Sequence, residues 1–272
     1  MNFNEIIYDK SDRIATITFN RPEKLNAWTR RMGDEVQTAM LDAERDDGVR
    51  AIVVTGAGRA YCAGADMDLL DKISKGEEAA PAATVPQRAA ADVRADFNGR
   101  FSYMLALRKP VIGAINGACV GIGFTSSLYF DIRIASESAR LGLIFVRRGL
   151  VMEHGSSWML PRLIGVPKAL DLALTGRLVD AQEALAMGLV SRVVPAEKVV
   201  AAAKEIAGEI AGKCAPLGVA QAKRLIYDHL FTDLTTAMRD DDRATERAMK
   251  SEDFKEGVTA FIEKRPPRFR GR

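Results

Sequence analysis

Ala51-Ile52-Val53-Val54-Thr55-Gly56-Ala57-Gly58-Arg59-Ala60-Tyr61-Cys62-Ala63-Gly64-Ala65-Asp66 is the stretch that decides how this chain folds. The apolar run from Ala51 to Val54 reads as a buried strand. It breaks at Thr55-Gly56-Ala57-Gly58, where glycine opens backbone conformations that other residues avoid. A second small-residue cluster, Ala63-Gly64-Ala65-Asp66, precedes an apolar turn with Met67, Leu69 and Leu70. Small residues between a strand and a helix leave backbone N–H groups uncovered at the helix start. Such groups can hold an anion or a polarised carbonyl.

Pro110-Val111-Ile112-Gly113-Ala114-Ile115-Asn116-Gly117-Ala118-Cys119-Val120-Gly121-Ile122-Gly123 repeats the pattern: an apolar strand, a glycine-rich turn, and a helix start near Ile122. Two N–H donors from separate turns, brought together, make an oxyanion hole, which stabilises charge developing on a carbonyl oxygen.

Strands are expected over 5–8 and 13–19, then a helix over 29–45 with Met32, Val36, Ala39, Met40 and Ala43 at helical spacing. Strand, helix, strand order argues for crossover connections and the α/β class. Residues 73–95, rich in Ala and Glu with Gly76, Pro81 and Pro86, read as an insertion beside the first turn, a candidate lid. A helix is expected over 94–107, a buried helix over 122–130 and a short strand over 131–135. Helices dominate thereafter, over 156–163, 167–175, 181–187, 196–213, 216–231, 234–248 and 252–261.

Length and composition bound the function. The 272 residues suffice for one large domain, and a hydrophobic content of 47% supports a globular core. No apolar run approaches membrane-spanning length. The start, Met1-Asn2-Phe3-Asn4-Glu5, lacks the basic and apolar regions of a signal peptide, so a cytoplasmic protein is expected. Cys62, Cys119 and Cys214 lie far apart and read as reduced, small hydrophobes. With only His154 and His229, no metal site is expected. The net charge of +3 calls for neither nucleic acid nor membrane, although 264–272 is a basic cluster suited to a tail or to a phosphate contact.

The chain resembles the crotonase (enoyl-CoA hydratase/isomerase) superfamily over nearly its whole length. The resemblance lies in Phe19-Asn20-Arg21-Pro22-Glu23-Lys24-Leu25-Asn26-Ala27, both glycine-rich segments, Arg148-Gly149-Leu150-Val151, Thr175-Gly176-Arg177, Ala184 to Val190, and Phe261-Ile262-Glu263-Lys264-Arg265. Each piece alone is weak; their order and spacing together are specific. It implies a crotonase (ClpP-like) fold of repeated ββα units in 1–200, and a helical region in 201–272 that packs on the core and forms trimers. The implied partner is an acyl-CoA thioester, with a homotrimer or dimer of trimers as the assembly. No separate cofactor is implied, because coenzyme A is part of the substrate.

The resemblance puts the oxyanion donors on the N–H groups of Ala65 and Ile122, the latter between Gly121 and Gly123. The family's usual Gly-Gly-Gly is Gly-Ile-Gly here; the N–H is retained, while the Ile122 side chain is expected to narrow the pocket. The hydratases of the family hold a water between two glutamates, whose positions are Thr125 and Phe145 in this chain. Neither can act as a base at neutral pH. Glu153, just before a helix start, stands where members that shift a double bond carry their carboxylate. Its rival role is to support the end of that helix. Lys24 and Leu25 precede a coenzyme A groove, Ala63 sits where backbone meets the adenine, and Lys264 of a neighbouring subunit reaches the phosphates. Asp66 reads as a cap on the helix after the first turn. Double-bond isomerisation through Glu153 is the favoured expectation. A hydratase with unusual water activation and a silent acyl-CoA binder are the alternatives.

Overall fold

The computed structural model describes residues 1–79 and 94–272. Its organising unit is a repeat: one strand enters a main sheet, a short strand enters a second sheet, and a helix follows. Strands β1 (Ile6–Ser11) and β2 (Ile14–Phe19) form an antiparallel hairpin at the edge of the main sheet. Helix α1 (Arg30–Arg45) returns the chain to β3 (Ala51–Gly56), which runs parallel to β2. β4 (Ala60–Cys62) crosses to the second sheet and α2 (Met67–Ser74) completes the unit. After the single turn α3 (Tyr103–Ala106), the next unit is β5 (Val111–Ile115), β6 (Ala118–Val120) and α4 (Ile122–Ser127). Another follows as β7 (Ile132–Ser136), β8 (Arg140–Gly142) and α5 (Ser156–Ile164). Helix α6 (Val166–Thr175), β9 (Val179–Asp180), α7 (Ala181–Ala186) and β10 (Arg192–Val194) close the sheets. Helices α8 (Val199–Lys213), α9 (Pro216–Asp228), α10 (Leu234–Met249) and α11 (Glu252–Ile262) end the chain. The main sheet is ordered β1-β2-β3-β5-β7-β10 and the second β4-β6-β8-β9.

β3 is buried at every residue. A strand covered on both faces needs a continuous apolar run rather than an alternating one. On one face Ile14, Ala51, Val53, Ile112 and Ala114 meet the small stripe Val199, Ala202, Ala203 and Ala207 of α8. On the other, Ile17, Phe19, Ile52 and Val54 meet α1 through Met32, Val36, Ala39 and Met40. The buried residues of α1 are those its spacing selects, and Thr29 caps the helix by accepting the Met32 N–H at 3.0 Å. Asp131 pins α9 to the sheet: it accepts from the Val111 N–H at 2.6 Å, the Lys223 ammonium at 2.8 Å and the Tyr227 hydroxyl at 2.9 Å.

One expectation needs correction. The helix expected over 94–107 is instead a short turn over Ala95–Asn98 followed by α3. The Ser102 hydroxyl takes the Gly99 N–H at 2.9 Å and donates to the Asp96 carbonyl at 2.7 Å, replacing helical bonds. The strands of the second sheet, and β10, escaped the sequence reading because two or three residues carry no periodicity. Of the insertion expected over 73–95, the first residues belong to α2, and 80–93, where the lid was expected, lie outside the described residues. No helix among the described residues is long and apolar enough to cross a membrane.

Candidate active site

β4 delivers the first turn. Trp28 pairs with Ala65 in the parallel sense: its N–H donates to the Gly64 carbonyl at 2.8 Å, and its carbonyl accepts the Asp66 N–H at 3.0 Å. A residue so paired bonds through its neighbours, which leaves the N–H of Ala65 itself without an acceptor among the described residues. Gly64 makes the turn possible at φ +108°. β6 delivers the second turn. Gly121 adopts φ +56° and ψ −124°, a conformation open in practice only to glycine. It donates to the Gly142 carbonyl at 2.9 Å and accepts the Thr125 N–H at 2.9 Å. Ile122 begins α4, so its N–H has no acceptor within the helix. The turns touch: a methyl group on Gly121 would lie 3.6 Å from the Gly64 Cα. The unpaired N–H groups of Ala65 and Ile122 therefore flank one glycine–glycine contact.

The Ile122 side chain is buried in the main core. Phe145, in a short turn after β8, is buried in the same core. Thr125 is fully buried, and its hydroxyl finds no partner among the described residues. Trp28 and Tyr61 are core residues, and Trp28 packs edge-on against Phe101 at 5.5 Å.

Glu153 is half-buried ahead of α5. Its carboxylate does not cap the helix: the cap position is Gly155, and no side chain caps there. Its carbonyl instead accepts the Ser156 N–H and hydroxyl, at 3.0 and 2.8 Å. Burial pushes the Glu153 carboxyl above its ordinary range, and nearby Arg100 opposes the shift. His154 lies 3.7 Å from the Glu153 carboxylate, and burial with the Arg100 charge lowers its pKa to about 4. It is therefore neutral at pH 7. Its ring meets Phe101 edge-on at 5.4 Å, which joins Glu153 to Trp28 and so to the Ala65 turn.

Beside His154 opens a cavity of about 350 Å³, with Phe97, Leu105, Tyr129, Trp158 and Phe231 in its wall. Trp158 and Phe231 stack at 5.0 Å, sandwiched between Arg162, 3.7 Å over Trp158, and Arg94, 4.1 Å over Phe231. Arg100 also lines this cavity; nothing in the sequence distinguishes it from a solvated surface arginine. A second cavity of about 370 Å³, between α9 and the C-terminal residues, holds none of the site residues expected from the sequence.

The residues expected to meet coenzyme A fall into two groups. Leu25 and Ala63 are joined directly, the Ala63 N–H donating to the Leu25 carbonyl at 3.1 Å. Lys24 is exposed and pairs with Asp68 at 3.3 Å. Asp66 caps α2 by accepting the Asp68 N–H at 3.0 Å, and it pairs with Arg21 at 2.8 Å. Burial works against its charge, but the Arg21 hydrogen bond and the Asp68 N–H prevail and hold its carboxyl low. Lys264 stands apart from these, exposed, at φ +54° after α11. Asn26 was missed as an organiser of this loop. It is fully buried, donates to the Ala57 and Ala60 carbonyls at 2.9 and 2.7 Å, and accepts the Arg21 N–H at 2.9 Å. Its place beside Leu25 in the first motif was the available signal.

The family model described as "Enoyl-CoA hydratase/isomerase" matches residues 9–272. Among similar proteins, the enoyl-CoA hydratase ACTT3 of Alternaria alternata is 37% identical over 95% of this chain and 83% of its own length. The 1,2-epoxyphenylacetyl-CoA isomerase of Escherichia coli K12 is 34% identical over 95% of both chains. A solved structure of a probable enoyl-CoA hydratase/isomerase from Mycobacterium abscessus superposes with a TM-score of 0.85 at 36% identity, covering 98% of this chain and 99% of that one. An enoyl-CoA hydratase from Mycobacterium tuberculosis H37Rv gives 0.87 at 29% identity, with coverage of 98% and 99%. The ββα repeat, the paired turns and these matches agree: the chain belongs to the enoyl-CoA hydratase/isomerase family of enzymes.

Proposed function

We propose that the protein binds an unsaturated acyl-CoA thioester and moves its double bond from the 3 to the 2 position. The thioester oxygen accepts hydrogen bonds from the Ala65 and Ile122 N–H groups. That polarisation acidifies the carbon next to the carbonyl. Glu153 takes a proton from this carbon, negative charge spreads onto the thioester oxygen as a dienolate, and Glu153 returns the proton at the fourth carbon. One carboxylate serves both transfers, so none is needed at Thr125 or Phe145. A carboxyl raised by burial is better matched to proton transfer near neutral pH than an exposed one. The observation that carries the reading is the contact between two turns that each leave an N–H unpaired, linked through Trp28, Phe101 and His154 to the Glu153 carboxylate, whose pKa burial raises.

The test is Glu153→Gln, assayed on an acyl-CoA panel for both double-bond migration and hydration. Isomerisation is expected to fall by about 10²–10⁴-fold, the range of general acid–base groups. Acyl-CoA binding is expected to survive, since the backbone donors remain. A folded variant keeping more than half its activity removes Glu153 from the chemistry. Wild-type protein that hydrates but does not isomerise assigns the site to water addition. Binding without any turnover makes it an acyl-CoA carrier.

A further inference from the structure

The cavity beside His154 is bordered by a charged side chain without a partner among the described residues. Of the titratable residues in its wall, Asp96 is engaged by Arg94 at 2.9 Å, the Tyr129 hydroxyl donates to the His154 carbonyl, and His154 is neutral. The other is Arg100. It makes no hydrogen bond or ion pair with any described residue; Glu153 and Asp34 act on it only through space. Half-buried Arg100 stands between this cavity and a smaller hollow lined by Trp28, Gly33 and Asp34, where a methyl group on Gly33 would lie 3.2 Å from the indole nitrogen and 3.3 Å from the Arg100 Nη2. The Ser102 clasp that breaks the expected helix fixes the Gly99-Arg100 turn against the cavity. A guanidinium carries N–H donors in a rigid fork. Leaving them desolvated and unmatched is costly, and a planar carboxylate matches the fork with two parallel hydrogen bonds. Apart from Asp96, Ser102 and His154, the rest of the wall is Phe97, Leu105, Tyr129, Trp158, Phe231 and glycine backbone, suited to a short carbon chain.

We propose that this cavity receives the far end of the acyl group, and that this end is a carboxylate held by Arg100, so that the preferred substrates are CoA thioesters of unsaturated dicarboxylic acids. This rests on the acyl-CoA reading above and adds the class of acyl group. The carboxylate belongs to the substrate rather than to a free acid because the cavity shares His154, and through Phe101 the Trp28 wall, with the proposed reaction centre.

The experiment is calorimetric titration with saturated CoA thioesters matched in chain length, glutaryl-CoA against pentanoyl-CoA, which the enzyme binds without turning over. Wild-type protein is expected to bind glutaryl-CoA about 10- to 100-fold more tightly, the range of a charge-assisted hydrogen bond. Arg100→Gln is expected to abolish that ratio while leaving pentanoyl-CoA affinity within about threefold. Arg100→Lys, which keeps charge but not the fork, is expected to restore part of it. Equal binding of both thioesters by wild-type protein overturns the proposal and leaves the acyl-CoA reading standing. Failure of both to bind overturns the acyl-CoA reading itself. Equal weakening of both by Arg100→Gln assigns the residue to structure or to Glu153 and also overturns the proposal. Free glutarate binding as tightly as glutaryl-CoA overturns it as well, because the carboxylate site would then be independent of the acyl path.

Discussion

His154 shows how one residue can report on the site through stability. It sits at φ +51°, a left-handed conformation that His, Asn and Asp tolerate better than most. Its carbonyl accepts the Tyr129 hydroxyl at 2.5 Å, and its ring packs on Phe101. Its pKa falls from 6.5 to about 4 in the fold, through burial first and the Arg100 charge second. Above pH 6.5 the imidazole is neutral in both folded and unfolded chains and has no effect. Between pH 6.5 and about 4 the unfolded chain binds a proton that the folded one refuses, so stability is lost as pH falls. The loss is about 2 kcal/mol by pH 5. His154→Asn keeps a residue suited to the backbone and removes the titration. Its urea midpoint is expected to fall less between pH 7 and pH 5 than that of wild-type protein. Equal falls in the two proteins would mean that His154 titrates normally. The family resemblance, read on to residue identity, told which carboxylates are missing at Thr125 and Phe145. It could not show that Arg100 lacks a partner among the described residues, because a partner is defined by folded neighbours rather than by sequence.

At the scale of elements, the legible parts were those whose pattern exceeds one turn or four strand residues. The unbroken apolar run of β3 and the buried stripe of α1 followed from spacing. The strands of the second sheet did not, since β4, β6 and β8 are three residues long and are specified by register with one another: Ala60 with Ala118, Ala118 with Arg140. The glycine turns after β4 and β6 were legible because glycine marks backbone that no other residue adopts cheaply. Gly64 supports a direct prediction. At φ +108° it cannot become proline, whose ring holds φ near −65°, without moving the turn that aims the Ala65 N–H. It also accepts the Trp28 N–H, so the displacement would reach the loop that carries Leu25. Gly64→Pro is expected to lower turnover by about 10²-fold or more, the scale of one lost oxyanion donor. A well-folded Gly64→Pro protein with near wild-type turnover would take this turn out of the mechanism.

For the whole molecule, the question is what covers the C-terminal helices. The small and apolar residues of α10 divide in the fold: Ala244 is buried within the chain, while Met238 stays 59% exposed. Leu234 on the same helix and Val258, Phe261 and Ile262 on α11 also leave large apolar side chains in solvent, Phe261 at 85% and Ile262 at 72%. Large apolar side chains left in solvent on two helices that pack on one another point to an interaction face. We propose that copies of the chain pack through α10 and α11 into a trimer or dimer of trimers, closing the face by rotational symmetry. Lys264 follows α11 by a single residue, is exposed, and has no ion pair among the described residues. Assembly would carry this ammonium to a neighbouring subunit, where it would meet the phosphates of bound coenzyme A. The basic cluster around it is less available: Arg265 forks onto Glu256 at 2.6 and 2.9 Å, and Arg272 pairs with Glu252 at 3.0 Å. Light scattering of the wild-type protein is therefore expected to give three or six chains. Val258→Glu combined with Phe261→Glu, which places charge on the exposed face without touching the core, is expected to give a folded monomer that binds acyl-CoA more weakly. Lys264→Ala is expected to weaken binding while the assembly persists. A wild-type monomer at micromolar concentration would overturn the assembly, and full acyl-CoA affinity in the dissociated variant would detach Lys264 from the site.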